Sequence, residues 1–363
     1  MAAYPHATEH EERRQAAKVP SALRLRVIEE AFPRHMHPYW PHLQENSRAW
    51  LLERRLMSPA KVELFADSLC YTDLVAGYYV GAPDQVLGAI GDFSTWFFVW
   101  DDRHDRDAVH GRTFAWQRLH RHLHAALDAP GRHLRHGDPL VAAFAECLLR
   151  LFAPMSEAWN ARFARHFHAV IDAYDREFGN RRTGTVPGVE AYVELRRHTF
   201  AHWIWLDLLE QAAACELPES VRTHPAFRRA ALASQDFSAW YNDLCSLPKE
   251  LAGDEVHNLG ISLIHHEGLS LEEAVTEVRR RVRICIAEFL VAEGEVLRYA
   301  RELTAQNSPR AREIGAGVRA CLFNMRNWFS SVYWFHHESG RYRVENWEDS
   351  STPPYLSESA GGK

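Results

Sequence analysis

Trp96-Phe97-Phe98-Val99-Trp100-Asp101-Asp102-Arg103-His104-Asp105 decides the reading of this chain. Five large apolar residues, four of them aromatic, run directly into three carboxylates within five positions. On a helix, Asp101 and Asp105 stand one turn apart and Asp102 lies three residues before Asp105, so the acids gather at one end. The preceding turns carry rings. Acid clusters are ordinarily solvated and aromatic runs ordinarily buried. Their abrupt junction predicts the mouth of a pocket, apolar below and cation-binding at the rim.

The rest of the chain has the composition of an ordinary globular protein, with 363 residues, 46% hydrophobic and 25% charged. That length allows one large domain or two medium ones. A net charge of −6 without any basic run argues against a nucleic-acid partner held by phosphate neutralisation. The 12 Trp, 12 Tyr and 18 Phe exceed what packing alone requires, although a large helical core absorbs many of them. Cys70, Cys147, Cys215, Cys245, Cys285 and Cys321 form no C-x-x-C pair. They read as reduced core residues of a cytoplasmic protein, not as a disulfide frame or zinc site. No apolar run approaches the roughly 18–20 residues of a membrane span. The polar residues 1–20 lack the apolar core of a signal peptide and are expected to be a disordered lead.

Nearly every long segment has helical periodicity, and alternating strand patterns are missing. Helices are expected from Pro41 to Leu56, from Pro59 through Tyr71, Leu74 and Tyr78 to the stop at Gly81-Ala82-Pro83, and from Gln85 to about Asp102. Others are expected at about 112–127, 138–153, 157–179, 188–212, 224–251, 270–304 and 308–335. Short connections carry Gly or Pro, as in Ala129-Pro130-Gly131 and His266-Glu267-Gly268. No repeat or linker divides the chain, so one all-α domain over 21–343 is expected, a helical bundle followed by a polar loop or disordered tail over 344–363.

A second constellation follows about 140 residues later, in Trp240-Tyr241-Asn242-Asp243-Leu244-Cys245-Ser246-Leu247-Pro248-Lys249-Glu250. Asn242, Ser246 and Glu250 fall at successive four-residue steps, a line of amide, hydroxyl and carboxylate oxygens along one helix face. Such hard-oxygen donors suit Mg²⁺, which fills its remaining octahedron with water and substrate phosphate. Pro248 removes one helical hydrogen bond and is expected to bend the line before Glu250. Each motif alone is an ordinary surface pattern. Both directly follow aromatics, and together they predict two metal-binding rims facing each other across an apolar cavity.

An aspartate-rich motif at 101–105 with an Asn-Ser-Glu triad at 242, 246 and 250 resembles the class I terpene cyclases of bacteria. The likeness extends to Asn-Met-Arg-Asn-Trp-Phe-Ser-Ser-Val-Tyr-Trp-Phe-His-His-Glu-Ser-Gly-Arg-Tyr at 324–342 and covers nearly the whole chain. It implies a sesquiterpene cyclase that ionises farnesyl diphosphate and closes it to a tricyclic hydrocarbon, by way of nerolidyl and bisabolyl species. The resemblance implies three Mg²⁺ ions, two on Asp101 and one on Asn242, Ser246 and Glu250. Asp102 and Asp105 would then be supports, Asp102 pairing with a diphosphate-binding arginine on closure. It also implies diphosphate donors at Arg196, Lys249, Arg341 and Tyr342, with Arg197 competing for the place of Arg196. The family carries an acid three positions after its sensing arginine. Thr199 stands there instead and leaves open the relay and the part of the Phe200 carbonyl. The implied cavity wall is Tyr71, Phe97, Phe98, Phe200, Trp205, Trp328, Phe335 and His336. Aromatic faces suit a carbocation because their quadrupoles attract it without offering a lone pair.

Three other readings remain. His104-Asp105 also fits the centre of an HD-type metallophosphohydrolase, which leaves the Asn-Ser-Glu triad unexplained. A prenyl chain-elongating enzyme requires a second aspartate-rich motif. A non-catalytic helical scaffold makes the acids surface and the rings core. The expected partner is a small-molecule diphosphate, with neither nucleic acid nor membrane span, and the chain is expected to be a monomer or homodimer.

Overall fold

The computed structural model describes residues 23–63 and 71–339. Among these residues the regular structure is helical and contains no strand. The helices are α1 (Arg26–Ala31), α2 (Trp40–Glu53), α3 (Tyr71–Tyr78), α4 (Asp84–Val109), α5 (Thr113–Asp128), α6 (Pro139–Phe152) and α7 (Glu157–Thr183). They continue as α8 (Val189–Thr199), α9 (His202–Ala212), α10 (Glu219–Arg222), α11 (Pro225–Ala252), α12 (Leu259–Glu267), α13 (Leu271–Ala305) and α14 (Pro309–Glu338). Residues 59–63 are also helical. The lead over 1–20, the tail over 344–363, Cys70, Arg341 and Tyr342 lie outside the described residues. The other five cysteines, from Cys147 to Cys321, are buried free thiols. No described helix is long and apolar enough to cross a membrane.

Local chemistry sets most helix ends. Ser156 caps α7 by accepting from the Trp159 N–H at 3.2 Å, and Gly184 closes it at φ 67°, a left-handed backbone that glycine adopts without steric cost. Ser270 and Glu273 form a reciprocal capping box at the start of α13. α4 is buried on every side from Ala89 to Phe97 and beyond that buries Trp100, Asp102, His104 and Asp107, so its first half runs through the core. It runs on to Val109, past the expected end at Asp102. Its charged last turns remain helical with Arg103 and Asp107 paired at 3.7 Å.

α1, α10 and α12 lie outside the expected spans, and two further departures bear on the site. The span 188–212 is two helices, because Ala201 adopts φ 55°, ψ 37° and breaks the ladder after Thr199. A left-handed alanine costs about 1–2 kcal/mol, so no propensity scale places a break there. α11 stays helical through Pro248 to Ala252, so Glu250 keeps its helical register with Ser246.

α11, α13 and α14 pack on one another, α14 also lies along α3, and α4 is held between α3 and α6. α3 approaches α14 closely at Gly77, where a Cβ would fall 2.1 Å from Ser331 Oγ. α3, α4, α7, α8, α9, α11 and α14 all contribute to the wall of one cavity.

Candidate active site

The helical period splits the aromatic run before the aspartates. Trp96 and Trp100 are fully buried on the outer side of α4. Trp96 stacks on Phe144 at 4.2 Å and donates its indole N–H to the Leu140 carbonyl at 2.8 Å. Phe97, Phe98, Asp101 and Asp105 line the cavity. Phe97 meets Trp205 edge-on at 5.6 Å, and Phe98 stacks on Tyr71 at 3.5 Å. Phe200, Trp205, Phe335 and His336 complete the expected part of the lining. Tyr71 and Trp328 stand behind it: Tyr71 backs Phe98, and Trp328 packs on Tyr78 and Tyr79. The break at Ala201 brings Phe200 and Trp205 to the wall. The Phe200 carbonyl there accepts from the Trp205 indole N–H at 3.0 Å.

At the open end, Asn242, Ser246, Lys249 and Glu250 share a cleft with Asp105, Arg181 and Glu255. The orientation of the Asn242 amide follows from its neighbours. His336 Nδ1 donates to the Val332 carbonyl at 2.7 Å, so its Nε2 accepts from Asn242 Nδ2 at 3.2 Å. Asn242 Oδ1 therefore points to Arg196, which reaches it at 2.7 Å. Arg196 also pairs with Asp243 at 2.8 Å and lies over the Phe200 ring at 5.1 Å. Arg197 turns away into a bidentate pair with Asp236 at 2.9 and 2.7 Å, which separates the two competing arginines. Asp101 accepts from the Tyr174 hydroxyl at 2.8 Å. Asp102, nine-tenths or more buried, faces a different cleft lined by Arg55, Lys61, Arg103 and Arg106.

Several site residues carry no sequence motif. Asn258 donates to Glu250 Oε2 at 2.7 Å and to the Asp243 carbonyl at 2.8 Å. Tyr192 donates to Asp243 at 2.6 Å, and Arg181 pairs with Asp105 at 2.9 Å. Leu74, Val75, Tyr78, Tyr79, Thr199 and Val332 add to the cavity wall. Periodicity alone would flag these as helix faces and nothing more.

The charge balance fits divalent cations. Asp101, Asp105, Glu177, Glu250, Asp254 and Glu255 line the cavity and its mouth, against the permanent cations Arg181, Arg196 and Lys249. Burial, then the nearby Asp243 and Glu255 charges, push the Glu250 carboxyl up to about 7. This is the strain expected of an acid cluster that lacks a counter-charge. Burial also lifts the Asp105 carboxyl, but the Arg181 guanidinium and the neighbouring His104 together outweigh it and hold that group at about 2. An amide oxygen, a hydroxyl and a carboxylate on one helix face, opposite Asp101, form a hard-oxygen donor set. Among the described residues no group of three His, Cys, Asp or Glu converges as an HD centre requires. His104 is instead fully buried against Trp116 at 4.7 Å.

Comparison with known proteins agrees with this geometry. Residues 92–288 match the family model "Terpene synthase family 2, C-terminal metal binding". The chain is 66% identical to epi-isozizaene synthase of Streptomyces coelicolor over 363 residues, the full length of both. It is 28% identical to pristinol synthase of Streptomyces pristinaespiralis over 73% of this chain and 72% of that one. In fold it resembles the linalool/nerolidol synthase of Streptomyces clavuligerus, solved with 2-fluorogeranyl diphosphate. That match has a TM-score of 0.69 at 23% identity and covers 81% of this chain and 98% of the other. With a family model over more than half its length and a relative two-thirds identical from end to end, the chain belongs to terpene synthase family 2 and is a bacterial class I terpene cyclase.

Proposed function

We propose that the protein is a Mg²⁺-dependent sesquiterpene cyclase that converts farnesyl diphosphate to epi-isozizaene and diphosphate. One observation carries the reading: a single cavity has aromatic walls and a mouth where Asp101 and the Asn242, Glu250 rim both open. The end-to-end identity to epi-isozizaene synthase supports the product.

In this reading Asp101 and the Asn242, Ser246, Glu250 line hold three Mg²⁺ ions, which supply the positive charge that the departing diphosphate requires. Arg196 and Lys249 donate hydrogen bonds to that anion, joined by Arg341 and Tyr342. Asp102 and Asp105 support the metal motif without being its main ligands. Phe97, Phe98, Phe200 and Trp205 present ring faces to the carbocation, while Phe335 and His336 line the wall beside Asn242. The apolar lining keeps water from quenching the cation before the last proton is lost. The same reading makes the enzyme a monomer or homodimer that works in the cytoplasm.

Incubating the purified protein with farnesyl diphosphate and Mg²⁺, followed by gas chromatography–mass spectrometry, tests the proposal. Epi-isozizaene that disappears with EDTA and returns with Mg²⁺ is the expected result. No hydrocarbon, or one formed without metal, refutes the cyclase reading. A different skeleton refutes the product alone.

A further inference from the structure

Arg181, in the last turn of α7, sits between the two sides of the mouth, and carboxylates from three separate elements share its guanidinium. Nε donates to both Glu255 oxygens at 3.0 Å, Nη2 pairs with Glu177 at 3.0 Å, and Nη1 pairs with Asp105 at 2.9 Å. Nη1 also donates to His104 Nδ1 at 2.7 Å. The Arg181 side chain is only 18% exposed. Glu255 is anchored in turn: its Oε1 accepts from the Val256 and His257 backbone N–H groups at 2.8 and 3.2 Å. Its own N–H donates to the Glu250 carbonyl at 2.9 Å. Glu255 is thus a rigid extension of the α11 rim, and Asp105 is the last acid of the α4 rim.

We propose that Arg181 is a positioning residue that withholds the Asp105 carboxylate from the metal ions and sets the gap between the Asp101 rim and the Asn242, Ser246, Glu250 rim. The proposal rests on the metal-dependent cyclase reading above. A planar guanidinium with five N–H donors can bridge three carboxylates in fixed directions, which a lysine ammonium does not reproduce. Without that charge nothing between the two rims offsets their acids, and Asp105 can draw a divalent ion to the mouth in the absence of diphosphate. With it, the positive charge between the rims opposes early loading, and the substrate's own anion tips the balance. Arg181 acts through Asp105 and Glu255 and touches no reacting atom.

Mn²⁺ titration of the full-length protein, followed by electron paramagnetic resonance of the free ion, tests this with and without inorganic pyrophosphate. Arg181→Met is expected to bind Mn²⁺ about tenfold more tightly than wild type without pyrophosphate, the effect of losing one nearby positive charge after solvent screening. The enhancement by pyrophosphate should shrink accordingly. Adding Asp105→Asn to that variant should return the pyrophosphate-free affinity toward wild type, which a merely structural role for Arg181 would not do. Arg181→Lys keeps the charge and folds more readily, and should bind about threefold more tightly because one ammonium leaves a carboxylate free. A Mn²⁺ curve unchanged in both variants overturns the proposal, as does failure of Asp105→Asn to reverse the gain. Wild-type protein that binds no Mn²⁺ even with pyrophosphate brings down the cyclase reading and this inference together. Wild-type binding with unchanged variants brings down this inference alone.

Discussion

Asn258→Ala removes three hydrogen bonds from one fully buried side chain. Asn258 Oδ1 accepts from the Gly260 N–H at 2.7 Å and caps α12, while Nδ2 donates to the Asp243 carbonyl at 2.8 Å and to Glu250 at 2.7 Å. Loss of the cap costs about 1 kcal/mol. The bond to the neutral carbonyl contributes about 1 kcal/mol and the bond to the Glu250 carboxylate about 1.5–3 kcal/mol. The three contacts share one residue and do not add fully, so about 2–4 kcal/mol is the expected loss. Against a total of about 5–15 kcal/mol, that shift is plain in a urea unfolding curve. Glu250 also loses the partner that orients it, and outer partners of metal ligands are worth about 10–100-fold in metal affinity. The Mg²⁺ concentration giving half-maximal turnover of farnesyl diphosphate should therefore rise at least about tenfold. Asn258→Ser separates the two roles, because a serine oxygen still caps α12 but falls short of Glu250. It should regain about 1 kcal/mol of stability and none of the metal affinity. An unchanged Mg²⁺ curve in either variant, or joint recovery of both properties in the serine variant, refutes the reasoning.

Other perturbations test separate parts of the site. Phe98→Ala should still release diphosphate but shift the hydrocarbons toward earlier-quenched products, and an unchanged chromatogram counts against Phe98 shaping the pocket. Arg196→Ala should lower kcat/KM by about 100-fold or more, as expected for a donor aimed at developing charge. Arg197→Ala should instead lower the melting temperature, by stranding Asp236, with little change in KM, and a reversed pattern refutes the assignment of the two arginines. Burial, opposed by Arg162, raises the Glu210 carboxyl from 4.5 to about 7. The folded state then holds the extra proton, so this contribution to stability is full below about pH 4.5 and is lost as pH rises through about 7. Urea midpoints at about pH 5 and 8 should show that fall in wild type and a flatter profile in Glu210→Gln.

The chemistry of both rims was legible in the linear chain, because it depends on short-range period. Asn242, Ser246 and Glu250 share a face at any four-residue spacing on a helix, and Asp101 and Asp105 do the same. The all-helical class was legible for that reason too, as were most helix ends, which Ser, Pro and Gly mark locally. Tertiary structure decided which side of each helix faces the cavity. Neighbouring rings of the same run part company, Trp96 toward α6, Trp100 toward α5 and α7, and Phe97 and Phe98 toward the cavity, because packing against Phe144, Leu140, Trp116 and Tyr174 settles the rotation of α4. The turn at Ala201 had no local signal, since a left-handed alanine is held only by what surrounds it. Asn258 and Arg181 were out of reach for a related reason. Asn258 is defined by the α11 groups it meets on a returning loop, and Arg181 meets partners more than 70 positions away in the chain. The motif Trp96–Asp105 is legible as acids gathered at one end of an aromatic helix because its spacing is local. Its resemblance to the terpene cyclases supplies the reaction class, and the packing around it assigns each of its residues to core, wall or rim.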